Sequence, residues 1–200
     1  MPFQYSAFIS YRHRPTTFAN DLIDRIYELL LSELEPLVPE PVFYDKVFFA
    51  GTPFSDDALA HALHKSVCMV MIYYPVYFQD EVTYSSREFK AMEELESLRL
   101  SVIPQEHRND LIIPIALRAP EYLCEIFKNR RKYFDFSKVV FVKDFRTEHH
   151  KAKIREIAAH IATCCHLFRL APLDPFSDAP RFSLPTDEVV REWLSSNIIR

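Results

Sequence analysis

The chain has 200 residues, of which 48% are hydrophobic and 26% charged, so one globular domain with some additional chain is expected. Its 24 basic and 28 acidic residues give a net charge of −4, which argues against nucleic acid as a partner. Gly51 is the only glycine. This excludes a Walker A loop and a GxGxxG dinucleotide turn, because each needs several glycines within a few positions.

The cysteine spacing and the length of the apolar runs argue against zinc-binding, disulfide-linked and membrane-spanning proteins. The four cysteines, at positions 68, 124, 164 and 165, include no CxxC pair, so neither a zinc site nor a disulfide framework is predicted. The N-terminus does not have the pattern of a secretory signal, and the longest apolar run, 67–76, is too short to cross a bilayer. We therefore expect a cytoplasmic protein that does not bind a membrane.

The first third of the chain predicts two strands, each followed by a helix, because β-rich segments alternate with segments of helical apolar spacing. Proline, serine and threonine mark the boundaries between them. The expected elements are a strand at 3–11, a helix that Thr16 or Thr17 caps and that ends before Pro36, a strand at 41–44, a loop at 46–53 and a helix from Ser55 to about Lys65.

The same alternation continues to residue 168. The run at 67–74 is apolar throughout, which is typical of a strand covered on both faces. The further elements expected are a loop at 77–83, a helix that Ser85 or Ser86 precedes, a strand at 111–117 that Pro114 makes irregular or places at an edge, a short strand at 139–142 and a helix at 151–168.

Strands that alternate with helices predict an α/β fold with a parallel sheet and helices on both faces. In such sheets, ligands bind beyond the carboxyl ends of the strands. The site is therefore expected at residues 10–14, 45–54 and 74–84.

The C-terminal residues have a different character. Residues 171–185 contain four prolines and no periodic pattern, which indicates an extended arm. Thr186 can cap a short helix at 187–197, whose apolar stripe includes Trp193. That helix either packs back on the domain or docks a partner or a second copy.

Three segments resemble the conserved boxes of one family, the TIR domain. FISYR (8–12) is similar to its first box, and FYD (43–45) followed by AGTPF (50–54) resembles its second box. YSSRE (84–88) resembles the aromatic-x-x-x-Glu sequence that opens the helix after the third strand. The three boxes occur in the family's order and on the expected elements.

The resemblance implies a flavodoxin-like fold with a five-stranded parallel sheet over residues 1–170, and a C-terminal extension over 171–200. Some TIR domains are adaptors, whereas others cleave NAD+ at the nicotinamide–ribose bond with a glutamate, which is Glu88 here. The residues implied to bind this substrate are Ser10, Tyr11, Arg12, Asp45 and Tyr84. The family commonly has Trp at position 84 and Cys at position 85, where this chain has Tyr and Ser.

The implied chemistry requires a carboxylate beside the ribose, because positive charge develops there when nicotinamide leaves. Without the resemblance, Glu88 would be interpreted as a solvated charge on a helix. With it, the helix N-terminus is expected to favour the ionised form of the carboxyl. Arg12 is expected to pair with the pyrophosphate, and Tyr11 or Tyr84 to pack on a ring of the substrate. Asp45 is expected to accept from a ribose hydroxyl, to orient Arg12, or only to turn the loop.

The predicted function is that of a bacterial antiphage TIR enzyme of the Thoeris type, which consumes NAD+ and makes an ADP-ribose-derived signal for a separate effector. The product is ADP-ribose, a cyclic isomer or a conjugate. NAD+ is the substrate, and no other cofactor or metal is expected. The alternative is a non-enzymatic module in TIR–TIR contacts through exposed aromatics at 48, 49 and 54. Both functions imply self-association.

Overall fold

The structure is a computed structural model that describes residues 3–13, 17–50, 55–78, 82–123, 131–139, 141, 144–145, 147–170 and 182–197. Five parallel strands form one sheet in the order β2-β1-β3-β4-β5. The strands are β1 (Tyr5–Tyr11), β2 (Val42–Phe43), β3 (Ser66–Tyr73), β4 (Ile112–Ala116) and β5 (Phe134–Asp135). The predicted α/β class with a flavodoxin-like parallel sheet is confirmed.

Helices cover both faces of this sheet. The helices are α1 (Thr17–Leu34), α2 (Asp45–Phe48), α3 (Asp56–His64), α4 (Tyr84–Ser101), α5 (Glu148–Leu170) and α6 (Asp187–Asn197). Helices α1 and α5 pack together on one face, and α3 and α4 pack together against the sheet on the other. Every residue of β3 is buried, as its continuous apolar run predicts for a central strand. None of the described helices combines the length and apolarity that crossing a membrane requires.

The last strand lies earlier in the chain than predicted. Pairing involves Phe134 and Asp135, opposite Ile115 and Ala116 of β4, whereas Val139 and Phe141, the two described residues of the predicted strand, are not in a strand. The amide of Val139 donates to the carbonyl of Phe136, so the chain turns immediately after β5. Val139 is buried as part of that turn, while residues 140 and 142 lie outside the described residues. Phe141 is 56% exposed, so the apolar composition of this segment specified neither strand pairing nor the burial of each described residue.

Pro114 lies inside the sheet and not at its edge, because β4 is flanked by β3 and β5. The amide of Leu117 donates to the carbonyl of Tyr73 in β3, and successive amides of a strand point alternately to its two neighbouring strands. The nitrogen of Pro114 therefore faces the β5 side, where pairing begins only opposite Ile115. A proline is tolerated at this point because no hydrogen bond to β5 is lost.

Two further boundaries differ from those predicted. The segment after β2 begins as the short helix α2, where an irregular loop was expected, and residues 51–54 lie outside the described part. Helix α4 is capped by Thr83 and not by Ser85 or Ser86. The Thr83 hydroxyl accepts from the Ser86 amide and the Ser86 hydroxyl accepts from the Thr83 amide, which is a capping box. Ser55 caps α3 as predicted, accepting from the Ala58 amide at 3.2 Å.

The C-terminal helix packs back on the domain. Val190 and Leu194 are buried, and the Trp193 ring lies 5.5 Å from the Phe89 ring of α4. The arm at 171–181 lies outside the described residues. Residues 182–186 lead into α6, and the Phe182 ring stacks on His64 at the end of α3.

Candidate active site

A cleft of about 420 Å³ opens at the carboxyl end of β1, where the fold class predicts a ligand site. One wall consists of the residues that end β1 and follow it, and the other of the first turn of α4 with the residues before it. Asp187, the first residue of α6, completes the rim. The lining residues are Tyr11, Arg12, His13, Val82, Thr83, Tyr84, Ser85, Arg87 and Asp187. This volume lies in the range of pockets that bind small molecules.

The Glu88 carboxyl is buried beside this cleft, where it is part of a hydrogen-bonded chain of three side chains. The Ser10 hydroxyl, on β1, donates to Oε2 of Glu88 at 2.5 Å. The buried Tyr77 hydroxyl lies 2.5 Å from the Ser10 hydroxyl and extends the chain. Glu88 is only 6% exposed, so it is not the solvated surface charge that its neighbours in the sequence indicate.

Burial dominates the electrostatics of Glu88. Desolvation raises the pKa of its carboxyl to about 8, although the hydrogen bond from Ser10 and the charges of His13 and Arg87 act in the opposite direction. The helix N-terminus was expected to favour the ionised form of this carboxyl, but desolvation is the dominant effect on its pKa. Glu88 lies five residues beyond the cap, Thr83, and the helix dipole is felt mainly within the first turn.

Asp45 holds two of the cleft residues. Its Oδ1 accepts from the Tyr11 hydroxyl at 2.9 Å, and its Oδ2 lies 2.8 Å from Nε2 of His13. The backbone amide of Lys46 also donates to Oδ1. Asp45 is 6% exposed, so this carboxylate is a buried acceptor that holds Tyr11 and His13 in place. Of the three roles expected for Asp45, orienting Arg12 has no described contact, because these hydrogen bonds go to Tyr11, His13 and the Lys46 amide.

Arg12 and Tyr84 both line the cleft. The Arg12 guanidinium donates to the backbone carbonyl of Val76, which holds it at the cleft wall. Tyr84 is 41% exposed at the start of α4, and the Arg87 guanidinium lies 5.6 Å from its ring centre. An exposed ring next to a cation is well placed to pack on a flat substrate group.

Arg87 connects the cleft to the C-terminal extension. Its Nε donates to the Pro185 carbonyl at 2.9 Å, its Nη2 lies 2.9 Å from Asp56 of α3, and Asp187 is 3.9 Å from Nε. One guanidinium thus ties α3, α4 and the beginning of α6 together at the rim.

The structure brings all six candidate residues to this one place, in two layers. Tyr11, Arg12 and Tyr84 line the cleft, while Ser10, Asp45 and Glu88 are buried behind it. Sequence reasoning missed Tyr77 and His13. Both lie in segments expected at the site, 10–14 and 74–84, but neither was named as a candidate; for His13, its place directly after the first box was the available signal.

A scan against protein-family models and a search of curated proteins both found no match to this chain.

Proposed function

We propose that this chain is a TIR-type enzyme that cleaves the nicotinamide–ribose bond of NAD+ and transfers the ADP-ribosyl group to water or another nucleophile. The observation that carries the proposal is Glu88, a buried carboxyl that adjoins a small-molecule cleft and is held by Ser10 and Tyr77. Buried carboxyls with a strongly raised pKa are concentrated at functional sites. The order of the three TIR-like boxes supports the same function.

Glu88 would stabilise the positive charge that develops on the ribose. As the C1′–N bond breaks, its electron pair leaves with nicotinamide, which becomes neutral, and the ribose becomes oxocarbenium-like. A carboxylate in a site of low dielectric stabilises such a cation far more than it does in water. With a pKa of about 8, the Glu88 carboxyl is mostly protonated at neutral pH, and the positive nicotinamide ring of NAD+ favours loss of that proton on binding.

The cleft residues would hold the rest of the substrate. The Arg12 guanidinium is suited to pair with the pyrophosphate, for which this chain has no glycine-rich loop. Tyr84 offers an exposed ring face, and Tyr11 is fixed by Asp45 at the cleft wall. The product would deplete NAD+ or serve as an ADP-ribose-derived signal to a separate effector, as in antiphage systems of the Thoeris type.

A second candidate function is a TIR–TIR interaction module, and a feature of α2 favours it. Val47 and Phe48 are 51% and 43% exposed on consecutive positions of this short helix. Apolar side chains exposed together are typical of protein contacts. The two functions are compatible if assembly completes the enzyme, and only the enzymatic one needs Glu88.

The test is NAD+ turnover by the purified chain over a wide range of protein concentration, with products resolved by mass. Glu88→Gln keeps the size and hydrogen bonding of the side chain but cannot become negative, and we expect it to lower turnover by at least about 100-fold. The matched control is Glu94→Gln, which makes the same change at an exposed position of α4. Among the ion pairs described, Glu94 pairs only with Lys90. That control should leave turnover unchanged.

Equal turnover by the wild type and Glu88→Gln contradicts the proposed role of Glu88. If the wild type produces no nicotinamide even when concentrated, the enzymatic function is wrong, and concentration-dependent assembly that Phe48→Ala abolishes then supports the interaction module.

A further inference from the structure

We propose that His13 is the general base that takes the proton from the incoming acceptor, water or another hydroxyl, when that acceptor attacks the ribose. This inference rests on the proposed cleavage of NAD+. It adds a second catalytic residue with a task separate from that of Glu88, because Glu88 acts on the bond that breaks and His13 on the bond that forms.

The position of His13 is suited to this task. Its side chain is 61% exposed and lines the cleft, so both a bound substrate and bulk water can reach the ring. Its imidazole lies 4.7 Å from the Tyr11 ring at a tilt of 34°, and its Nε2 lies 2.8 Å from Asp45. Two contacts with residues that are themselves buried therefore fix the orientation of an otherwise exposed ring.

Asp45 also determines which nitrogen of His13 can act. A carboxylate only accepts hydrogen bonds, and Asp45 already accepts from Tyr11 and from the Lys46 amide. Nε2 of His13 must therefore donate to it, which leaves the lone pair of the neutral ring on Nδ1. The same hydrogen bond raises the pKa of His13, which makes Nδ1 a stronger base. A histidine oriented by a buried aspartate is the arrangement that general bases commonly use.

The proposed step balances as follows. Nicotinamide has left with the electron pair of the C1′–N bond, and an oxygen of the acceptor donates a lone pair to C1′. The O–H bond of the acceptor breaks, and its proton moves to Nδ1 of His13. The imidazolium that forms is stabilised by Asp45 and, over a longer distance, by Glu88, both of which favour the charged ring. The proton then passes to solvent, so hydrolysis releases one proton for each NAD+ consumed.

A pair of reactions separates this role from cleavage. In hydrolysis, the acceptor loses a proton when it attacks the ribose. In the exchange of labelled nicotinamide into NAD+, the acceptor is the ring nitrogen of nicotinamide, which attacks with a lone pair and has no proton to lose. Exchange therefore reports bond cleavage and its reversal without a general base. Both rates are measured on the same samples of the full chain, with NAD+ and labelled nicotinamide as the probes.

We expect His13→Gln to lower hydrolysis by about 100-fold or more while exchange is retained. Glu88→Gln should lose both reactions. His107→Gln, at an exposed histidine away from the cleft, is the matched control and should change neither. In His13→Ala, added imidazole should restore part of the hydrolysis rate, which a purely structural role of His13 does not predict.

The proposal is overturned if His13→Gln hydrolyses NAD+ at the wild-type rate. It is also overturned if hydrolysis and exchange fall together, because His13 then serves binding or cleavage and not the acceptor. If the wild type shows neither reaction, the proposed function itself is wrong, and the role of His13 is rejected with it. Retained exchange in His13→Gln also shows that the variant is folded.

Discussion

At the scale of single residues, the ionisation of Glu88 predicts how the activity depends on pH. Its carboxyl has a pKa of about 8, so the free protein holds the required carboxylate mainly at higher pH. Because kcat/KM reports the ionisation of the free enzyme, kcat/KM for nicotinamide exchange should rise with pH and level off above about 8. Exchange is the reaction to follow, since hydrolysis also includes the ionisation of His13. A profile that is flat between pH 6 and pH 9 contradicts this assignment.

The same shift predicts a pH-dependent stability. The Glu88 pKa of about 8 in the folded state lies above the ordinary glutamate value of 4.5, so between these pH values the folded chain keeps a proton that the unfolded chain loses. The free energy of unfolding therefore decreases as pH rises through this window, by up to about 1.4 kcal/mol per pH unit from this group. Below about pH 4.5 the proton is bound in both states and the penalty is absent.

Glu88→Gln removes this penalty because glutamine does not ionise. We expect its urea midpoint to increase relative to the wild type from pH 5 to pH 8, while the difference between Glu94→Gln and the wild type stays constant. Parallel pH dependence of Glu88→Gln and the wild type would show that Glu88 is not buried in its neutral form.

The sequence predicted which residues meet at the site but not their layering. The boxes located Ser10, Asp45 and Glu88 at strand and helix ends that a parallel sheet brings together. Their burial could not be predicted, because it depends on partners far away in the chain: Tyr77 is 67 residues from Ser10. The raised pKa of Glu88 could not be predicted for the same reason, because the sequence shows that the residue is near a helix start but not that its carboxyl is desolvated.

At the scale of elements, the start of α4 sets the geometry of the cleft, because Thr83, Tyr84 and Arg87 all line it. The capping box between Thr83 and Ser86 satisfies two backbone amides that the helix itself leaves without partners. Thr83→Ala should therefore lower the free energy of unfolding by about 1 kcal/mol. Thr83→Ser, which keeps the accepting oxygen, should lower it less, as measured by urea denaturation. Equal stability of the alanine and serine variants contradicts the role of this cap.

The elements that the sequence predicted well are those with a long pattern. Helix α1 has 18 residues and β3 has eight, so the periodic apolar pattern of the one and the continuous apolar run of the other extend over many positions. Strand β5 has only two residues and α2 only four, so neither is long enough to show a period. Both form because neighbouring elements provide their partners, and a short stretch of sequence does not show which elements those are.

At the scale of the whole molecule, the C-terminal helix connects the extension to the site. Val190 and Leu194 are buried, and Trp193 packs against Phe78 and Phe89, which neighbour Tyr77 and Glu88 in the chain. The N-terminal end of α6 provides Asp187 to the cleft rim, and the Pro185 carbonyl binds Arg87 over a separation of 98 residues. The sequence left open whether this helix packs back or docks elsewhere, because an apolar stripe does not specify its partner.

Loss of the α6 contact should therefore affect both stability and substrate binding. Leu194→Ala removes a side chain that is 4% exposed, and we expect it to lower the free energy of unfolding by about 2–5 kcal/mol. Because the helix also positions the rim beside Arg87, the KM for NAD+ should rise more than kcat falls, as steady-state kinetics at a temperature well below the transition will measure. Ser195→Ala, on the exposed face of the same helix, is the control and should change neither quantity. If Leu194→Ala lowers stability but leaves KM unchanged, α6 supports the fold without shaping the cleft.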